Sequence, residues 1–189
     1  MVEAAAERCA SVGARLFLDE CFNDWLDNPN KSGLADKIEK YPNLIIVKAF
    51  TKNYGLAGVR LGYAVCSDEK FLREMSCFTP PWNVSGLAQT AGVAALADQG
   101  HFKKAKRTVK EEKPRLAGAL TEFGFEVYGG DANFLFFRAD KDLGQKLLAR
   151  GILIRNCGNF EGLDENYFRI CVKTRKENEI LVEEIRRVL

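Results

Sequence analysis

The stretch Asn43-Leu44-Ile45-Ile46-Val47-Lys48-Ala49-Phe50-Thr51-Lys52-Asn53-Tyr54-Gly55-Leu56-Ala57-Gly58-Val59-Arg60-Leu61-Gly62-Tyr63 decides how the chain is read. Asn43 to Phe50 is a nearly continuous apolar run, the pattern of a buried strand. Gly55, Gly58 and Gly62 puncture the segment after it, and Leu61 to Cys66 is apolar enough for another strand. Upstream, residues 1–13 carry apolar positions at helical spacing and end at Gly13, after which Arg15 to Leu18 reads as a short buried strand. Helix followed by strand is half of a parallel α/β unit. Between these strands, Asn23 to Ser32 is polar, contains Asn28-Pro29-Asn30 and reads as loop, whereas Leu34 to Lys40 reads as helix. The expected class is therefore α/β with a mostly parallel sheet.

Downstream, Asp68 to Cys77 predicts a helix, Pro80-Pro81 breaks the chain, and Ser85 to Ala97 is a nearly all-apolar helix, which implies burial on most sides. After Gly100 the composition turns strongly charged. Phe102 to Glu112 reads as a further helix, which Pro114 is expected to kink or restart at a first-turn position. This shift marks a hinge between residues 1–100 and 101–189. Strands over 125–128, 133–138, 152–155 and 167–172, with helices over 143–150 and 176–188, give the second part a small α+β domain. A sheet of about three strands that opens on a helix at Met1 would expose bare edges and faces. The expectation is a fragment or truncated product whose first half supplies the rest, and uncovered apolar surface favours self-association.

Composition limits the alternatives. With 189 residues, 47% of them hydrophobic, the chain can bury an ordinary core. Basic side chains exceed acidic ones by 28 to 26, and a net charge of +2 gives no electrostatic reason for a nucleic-acid or membrane partner. No apolar run approaches the roughly 20 residues of a membrane helix, and the first residues lack the order of a secretory signal, so a cytoplasmic location is the default expectation. Cys9, Cys21, Cys66, Cys77, Cys157 and Cys171 form no C-x-x-C pair and read as reduced, mostly buried thiols. His101, the only histidine, reads as a helix-start residue around which no triad can be built. Trp25 and Trp82 suit either a site mouth or core and interface packing.

Asp19 closes the first strand, Lys52 follows the second, and Arg60 lies eight residues further on in the glycine-rich turn. Ligands of parallel α/β sheets sit beyond the carboxyl ends of strands, so the three could converge on one pocket. Each alone has a bland reading: a cap or solvated charge for Asp19, a solvated amine for Lys52, a surface ion pair for Arg60. Together they offer a Schiff-base lysine, a carboxylate for a protonated ring nitrogen and a guanidinium for a phosphate, which are the needs of pyridoxal phosphate.

The local sequence carries more weight than the charges. Leu18-Asp19-Glu20-Cys21-Phe22 and Phe50 to Tyr63 resemble the D-E-x-[FY] and [ST]-K-x-x-G-L-x-G-x-R-x-G-Y motifs of the fold-type I pyridoxal-phosphate enzymes, the class I/II aminotransferase superfamily. The resemblance covers essentially the whole chain, aligned with the second half of such enzymes, and implies a remnant of their large domain plus the small C-terminal domain. Within the superfamily the chain looks most like the threonine-phosphate decarboxylases, with the histidinol-phosphate aminotransferases as nearest relatives. Three features point that way: Phe22 in place of the usual tyrosine, Asn83-Val84-Ser85-Gly86-Leu87-Ala88-Gln89, and Ile152 to Leu163. Loss of the phenol at position 22 removes a hydrogen bond to the cofactor's ring oxygen.

The resemblance implies that Lys52 forms the Schiff base, Asp19 pairs with the pyridine nitrogen, and Thr51 and Arg60 bind the cofactor phosphate, with Phe22 against the cofactor. Ala49 stands where relatives often have a hydroxyl residue on that phosphate. Arg169 matches an arginine that grips the substrate carboxylate, and Arg155 one used by phosphate-bearing substrates; two anionic groups call for two such clamps. The implied reaction is decarboxylation of L-threonine O-3-phosphate to (R)-1-aminopropan-2-ol O-2-phosphate, a corrinoid building block, by a homodimer. The rivals are a histidinol-phosphate aminotransferase and a non-catalytic, self-associating fold fragment. Relatives draw on their first half for a ring-stacking aromatic and an asparagine, so this polypeptide alone is expected to bind cofactor poorly and turn over nothing.

Overall fold

Leu44–Ala49 is a strand (β2) whose Leu44, Ile45 and Ile46 are all but inaccessible to water. It runs parallel to Leu16–Asp19 (β1), with Asp19 opposite Val47, and antiparallel to Gly62–Val65 (β3), with Lys48 opposite Tyr63. The antiparallel third strand departs from the parallel arrangement expected. Between β2 and β3 the chain makes only one helical turn, Phe50–Asn53 (α2), and a 3-10 turn, Ala57–Val59, neither long enough to carry it back across the sheet. Gly62 suits this reversal, because a Cβ there would come within 2.9 Å of the Lys48 carbonyl oxygen.

The computed structural model describes residues 1–29 and 33–189, and these divide into two units, Met1–Phe102 and Lys103–Leu189. In the first, Val2–Ser11 (α1) lays Ala6 against Leu34, Tyr41, Leu44 and Ile46. Glu3 fastens this helix to the segment Ala35–Lys40, accepting hydrogen bonds from Lys37, Lys40 and Tyr41. That segment is a 3-10 helix, tighter than the helix expected over Leu34 to Lys40. The expected loop from Asn23 begins with a 3-10 turn, Asn23–Trp25, and its residues 30–32 lie outside the described residues.

Glu69–Cys77 (α3) and Gly86–Ala97 (α4) start on side-chain caps, Asp68 accepting from the Phe71 N–H and Ser85 from the Ala88 N–H. Burial of α4 on most sides is not found: only Ala88 and Gly92 are buried, whereas Leu87, Val93 and Leu96 are 85%, 72% and 53% exposed. Its contact runs along Gly92, where a Cβ would meet Leu61 at 2.5 Å and Phe50 at 3.8 Å. Apolar composition records a preference for cover without naming what covers.

Gln99–Glu122 (α5) passes through Pro114 without ending there, so the expected restart does not occur. Proline removes one intrahelical hydrogen bond, and the burial of Leu116 and Leu120 just beyond it holds the helix together. These leucines cover one face of a four-stranded antiparallel sheet ordered β4-β5-β7-β6: Glu126–Tyr128, Phe134–Arg138, Tyr167–Cys171 and Arg155–Asn156. The strand expected over 152–155 is thus shorter and later. Along β5 and β7, Leu135, Phe137, Phe168 and Ile170 alternate inward and meet Leu143 and Leu147 of Leu143–Leu148 (α6) and Ile185 of Arg175–Val188 (α7). A reciprocal capping box between Thr174 and Glu177 opens α7. The cysteines are not mostly buried: Cys157 is buried, Cys9, Cys21 and Cys66 are partly so, and Cys77 and Cys171 are exposed.

Candidate functional site

β1 and β2 are parallel, so Asp19, the last residue of β1, and Lys52, three residues past β2, emerge at the same end of the sheet. Asp19 Oδ1 accepts a hydrogen bond from the Cys21 N–H at 2.9 Å. The Cys21 thiol, that N–H and the Lys52 ammonium together hold the Asp19 carboxyl below its ordinary range. Burial, then the Asp19 carboxylate beside it, pushes the Cys21 thiol up to about 11, so it stays a protonated donor. Lys52 Nζ lies 5.4 Å from the centroid of the Phe22 ring. An ionised carboxylate, a thiol, an aromatic face and an exposed primary amine therefore share one neighbourhood. Thr51 sits half-buried on the same turn as Lys52. Cys21 escaped the sequence reading because it occupies the variable position of the D-E-x-F motif.

Arg60 follows the Ala57–Val59 turn in the left-handed region, at φ 58° and ψ 50°. That conformation costs a non-glycine residue about 1 kcal/mol. Its guanidinium donates to the Ala57 carbonyl at 3.0 Å, which folds the side chain onto its own turn.

In the second unit, Arg155 and Arg169 are direct partners across β6 and β7, and Arg169 is in turn opposite Phe136, itself opposite Tyr128. Side chains of directly opposed residues share a face, so the row Tyr128, Phe136, Arg169, Arg155 crosses the sheet on the side away from the core. The Arg169 guanidinium lies 4.9 Å from the Phe134 ring centroid, and Arg155 donates to Asn159 Oδ1 at 2.8 Å. Two cations opposed in this way repel unless an anion lies near them.

Trp25 is buried and meets Phe102 edge-on at 5.0 Å, which makes it a core residue; Trp82 is 95% exposed. His101 opens α5, where Asp98 Oδ1 accepts its N–H, and stacks 6.3 Å from Tyr54. Among the described residues no group of three or more His, Cys, Asp or Glu side chains is arranged for a metal, and no helix is long and apolar enough to cross a membrane.

Residues 1–185 match the family model described as aminotransferase class I and II. The chain is 36% identical, over its whole length, to the threonine-phosphate decarboxylase of Salmonella typhimurium, of which it covers 52%. Over 91% of its length it is 37% identical to the histidinol-phosphate aminotransferase of an Anaeromyxobacter species, of which it covers 48%. The crystal structure of the histidinol-phosphate aminotransferase from Clostridium acetobutylicum superposes with a TM-score of 0.85 at 28% identity, over 92% of this chain and 54% of that one. The chain thus spans about half the length of the curated relatives it matches. A match to the family model over nearly every residue places the chain in the class I and II aminotransferase family.

Proposed function

We propose that this chain supplies the lysine and the ring-nitrogen partner of a pyridoxal 5′-phosphate enzyme that decarboxylates L-threonine O-3-phosphate to (R)-1-aminopropan-2-ol O-2-phosphate. The observation that carries the reading is the shared neighbourhood of the Lys52 amine and the Asp19 carboxylate beside the Phe22 ring. Members of the family use this cofactor, and the donor set suits it: an accessible primary amine for its aldehyde and an ionised carboxylate for its ring nitrogen. When bound, the cofactor supplies an electron sink for the bond broken at the substrate's Cα.

The chain's own residues would divide the remaining work. Asp19, kept ionised by its neighbours, holds a proton on the ring nitrogen. Lys52 Nζ would hold the aldehyde carbon and, as a free amine, would return a proton to Cα of the substrate. Arg60 and Thr51 bind the cofactor phosphate, a use that accounts for an arginine retained at a left-handed position. Arg155 and Arg169 hold the carboxylate and phosphate of the substrate, whose two negative groups relieve the repulsion between the guanidiniums. Phe22 offers the ring oxygen no hydroxyl, which favours decarboxylation over amino transfer.

Transamination of a phosphorylated amino acid is the second reading, because the decarboxylase and the aminotransferase are equally similar, at 36% and 37% identity. Carbon dioxide release from L-threonine O-3-phosphate, set against 2-oxoglutarate-dependent amino transfer in the longest natural polypeptide containing these residues, separates the two. A homodimer is the proposed assembly, supported by the exposed apolar side chains Phe78, Leu87 and Val93.

A further inference from the structure

The turn that carries Lys52 cannot hold itself in place. α2 is four residues long, and a single turn fixes several dihedrals for one or two hydrogen bonds, so it forms only where other contacts impose it. Phe50 anchors one end in the core. At the other end, Asn53 donates through Nδ2 to Asp24 Oδ2 at 2.7 Å, while its Oδ1 is buried with no partner among the described residues. The orientation of Asn53 therefore rests on one bond.

Asp24 uses its second oxygen as well. Lys48 Nζ donates to Oδ1 at 2.8 Å and lies 3.7 Å from Glu20 Oε2, and Glu20 Oε1 accepts the Leu34 N–H at 3.1 Å. The Glu20 and Lys48 side chains are 3% and 18% exposed, so this is no solvated surface pair. Burial works against the Lys48 charge, but the bond to Asp24 and the charges of Asp24 and Glu20 outweigh it and raise its pKa. The ends of the network are telling: Glu20 is bonded covalently to Asp19, and Asn53 to Lys52.

We propose that Asp24, with Lys48 as its counter-ion, is a positioning residue that ties the Lys52 turn to the end of β1 and so sets the Lys52 amine relative to Asp19. The proposal rests on the role assigned above to Lys52 and adds a residue that touches neither cofactor nor substrate.

Two measurements on Asp24→Ala, which removes both acceptor oxygens, test it. The first needs no cofactor: hydrogen exchange of the Tyr54 and Leu56 N–H groups, both donated to the Phe50 carbonyl, read against core amides of β2. Exchange at the two turn amides should quicken about fivefold or more, the worth of one net hydrogen bond, with Ile46 unchanged. The double variant Asp24→Asn, Asn53→Asp, which rebuilds the 24–53 bond with donor and acceptor exchanged, should restore protection. Unchanged exchange at Tyr54 and Leu56, or a uniform rise that includes Ile46 and is not rescued, overturns the proposal. The second, in the longest natural polypeptide containing these residues, is the rate of borohydride-trapped labelling of Lys52 by pyridoxal phosphate relative to the surface residue Lys141, which should fall about fivefold in Asp24→Ala. Equal labelling of Lys52 and Lys141 in the wild type would defeat the function assigned to Lys52, whereas preferential labelling that Asp24→Ala leaves untouched would defeat the positioning role.

Discussion

Arg155 and Arg169 stand directly opposite one another across β6 and β7, two guanidiniums on one face of a sheet. Such a pair is destabilising by itself and becomes favourable when an anion bridges it. Inorganic phosphate at millimolar concentration should raise the melting temperature of the chain, and Arg155→Gln or Arg169→Gln should abolish that rise. Without phosphate, Arg155→Gln should change stability by less than about 1 kcal/mol. A phosphate-dependent shift that survives both substitutions would place the anion elsewhere.

The Phe22 ring beside Lys52 allows the choice of reaction to be tested at one position. Phe22→Tyr adds a phenol without removing the ring. In the longest natural polypeptide, the ratio of amino transfer to carbon dioxide release should rise about fivefold, as expected for one net hydrogen bond. An unchanged ratio, measured with L-threonine O-3-phosphate and 2-oxoglutarate, would remove Phe22 as a determinant of specificity.

Glu3 links α1 to the 3-10 helix beside it, and hydrogen bonds from Lys37 first, then Tyr41 and Lys40, lower its carboxyl from 4.5 to about 2. A carboxyl depressed in the folded state contributes stability above its ordinary value and loses that contribution as pH falls through the folded one. Urea midpoints should therefore fall less steeply between pH 4.5 and about 2 in Glu3→Gln than in the wild type. Parallel curves would show that the cluster contributes nothing to acid stability.

In the second unit, Phe168 is fully buried and stacks 5.8 Å from Phe137. Phe168→Ala should cost about 3–5 kcal/mol in equilibrium unfolding. A loss below about 1 kcal/mol, the scale of a tolerated core swap, would mean that this core repacks around the gap.

What the sequence disclosed and what it hid have physical causes. β2, β5 and β7 were legible because continuous or alternating apolar residues have few other uses, and the emergence of Asp19 and Lys52 at one end of the sheet because one ends and the other closely follows a strand of a parallel pair. The exposure of α4 was not legible, since Leu87 and Val93 express only a preference for cover. Nor was the opposition of Arg155 and Arg169, which depends on the register of a two-residue strand that the apolar pattern had placed earlier. The network of Asp24, Lys48 and Asn53 was not legible either, because only folding brings these residues together.

Every functional role proposed for the first unit requires that the amine of Lys52 take up the cofactor's aldehyde. Borohydride trapping of the longest natural polypeptide containing these residues with pyridoxal 5′-phosphate, followed by peptide mass mapping in the wild type, Lys52→Ala and Asp19→Asn, measures this without any turnover. Modification should concentrate at Lys52, disappear in Lys52→Ala with no other lysine taking its place, and weaken in Asp19→Asn. Labelling spread over the surface lysines of the wild type, or undiminished in Lys52→Ala, would contradict the assignment.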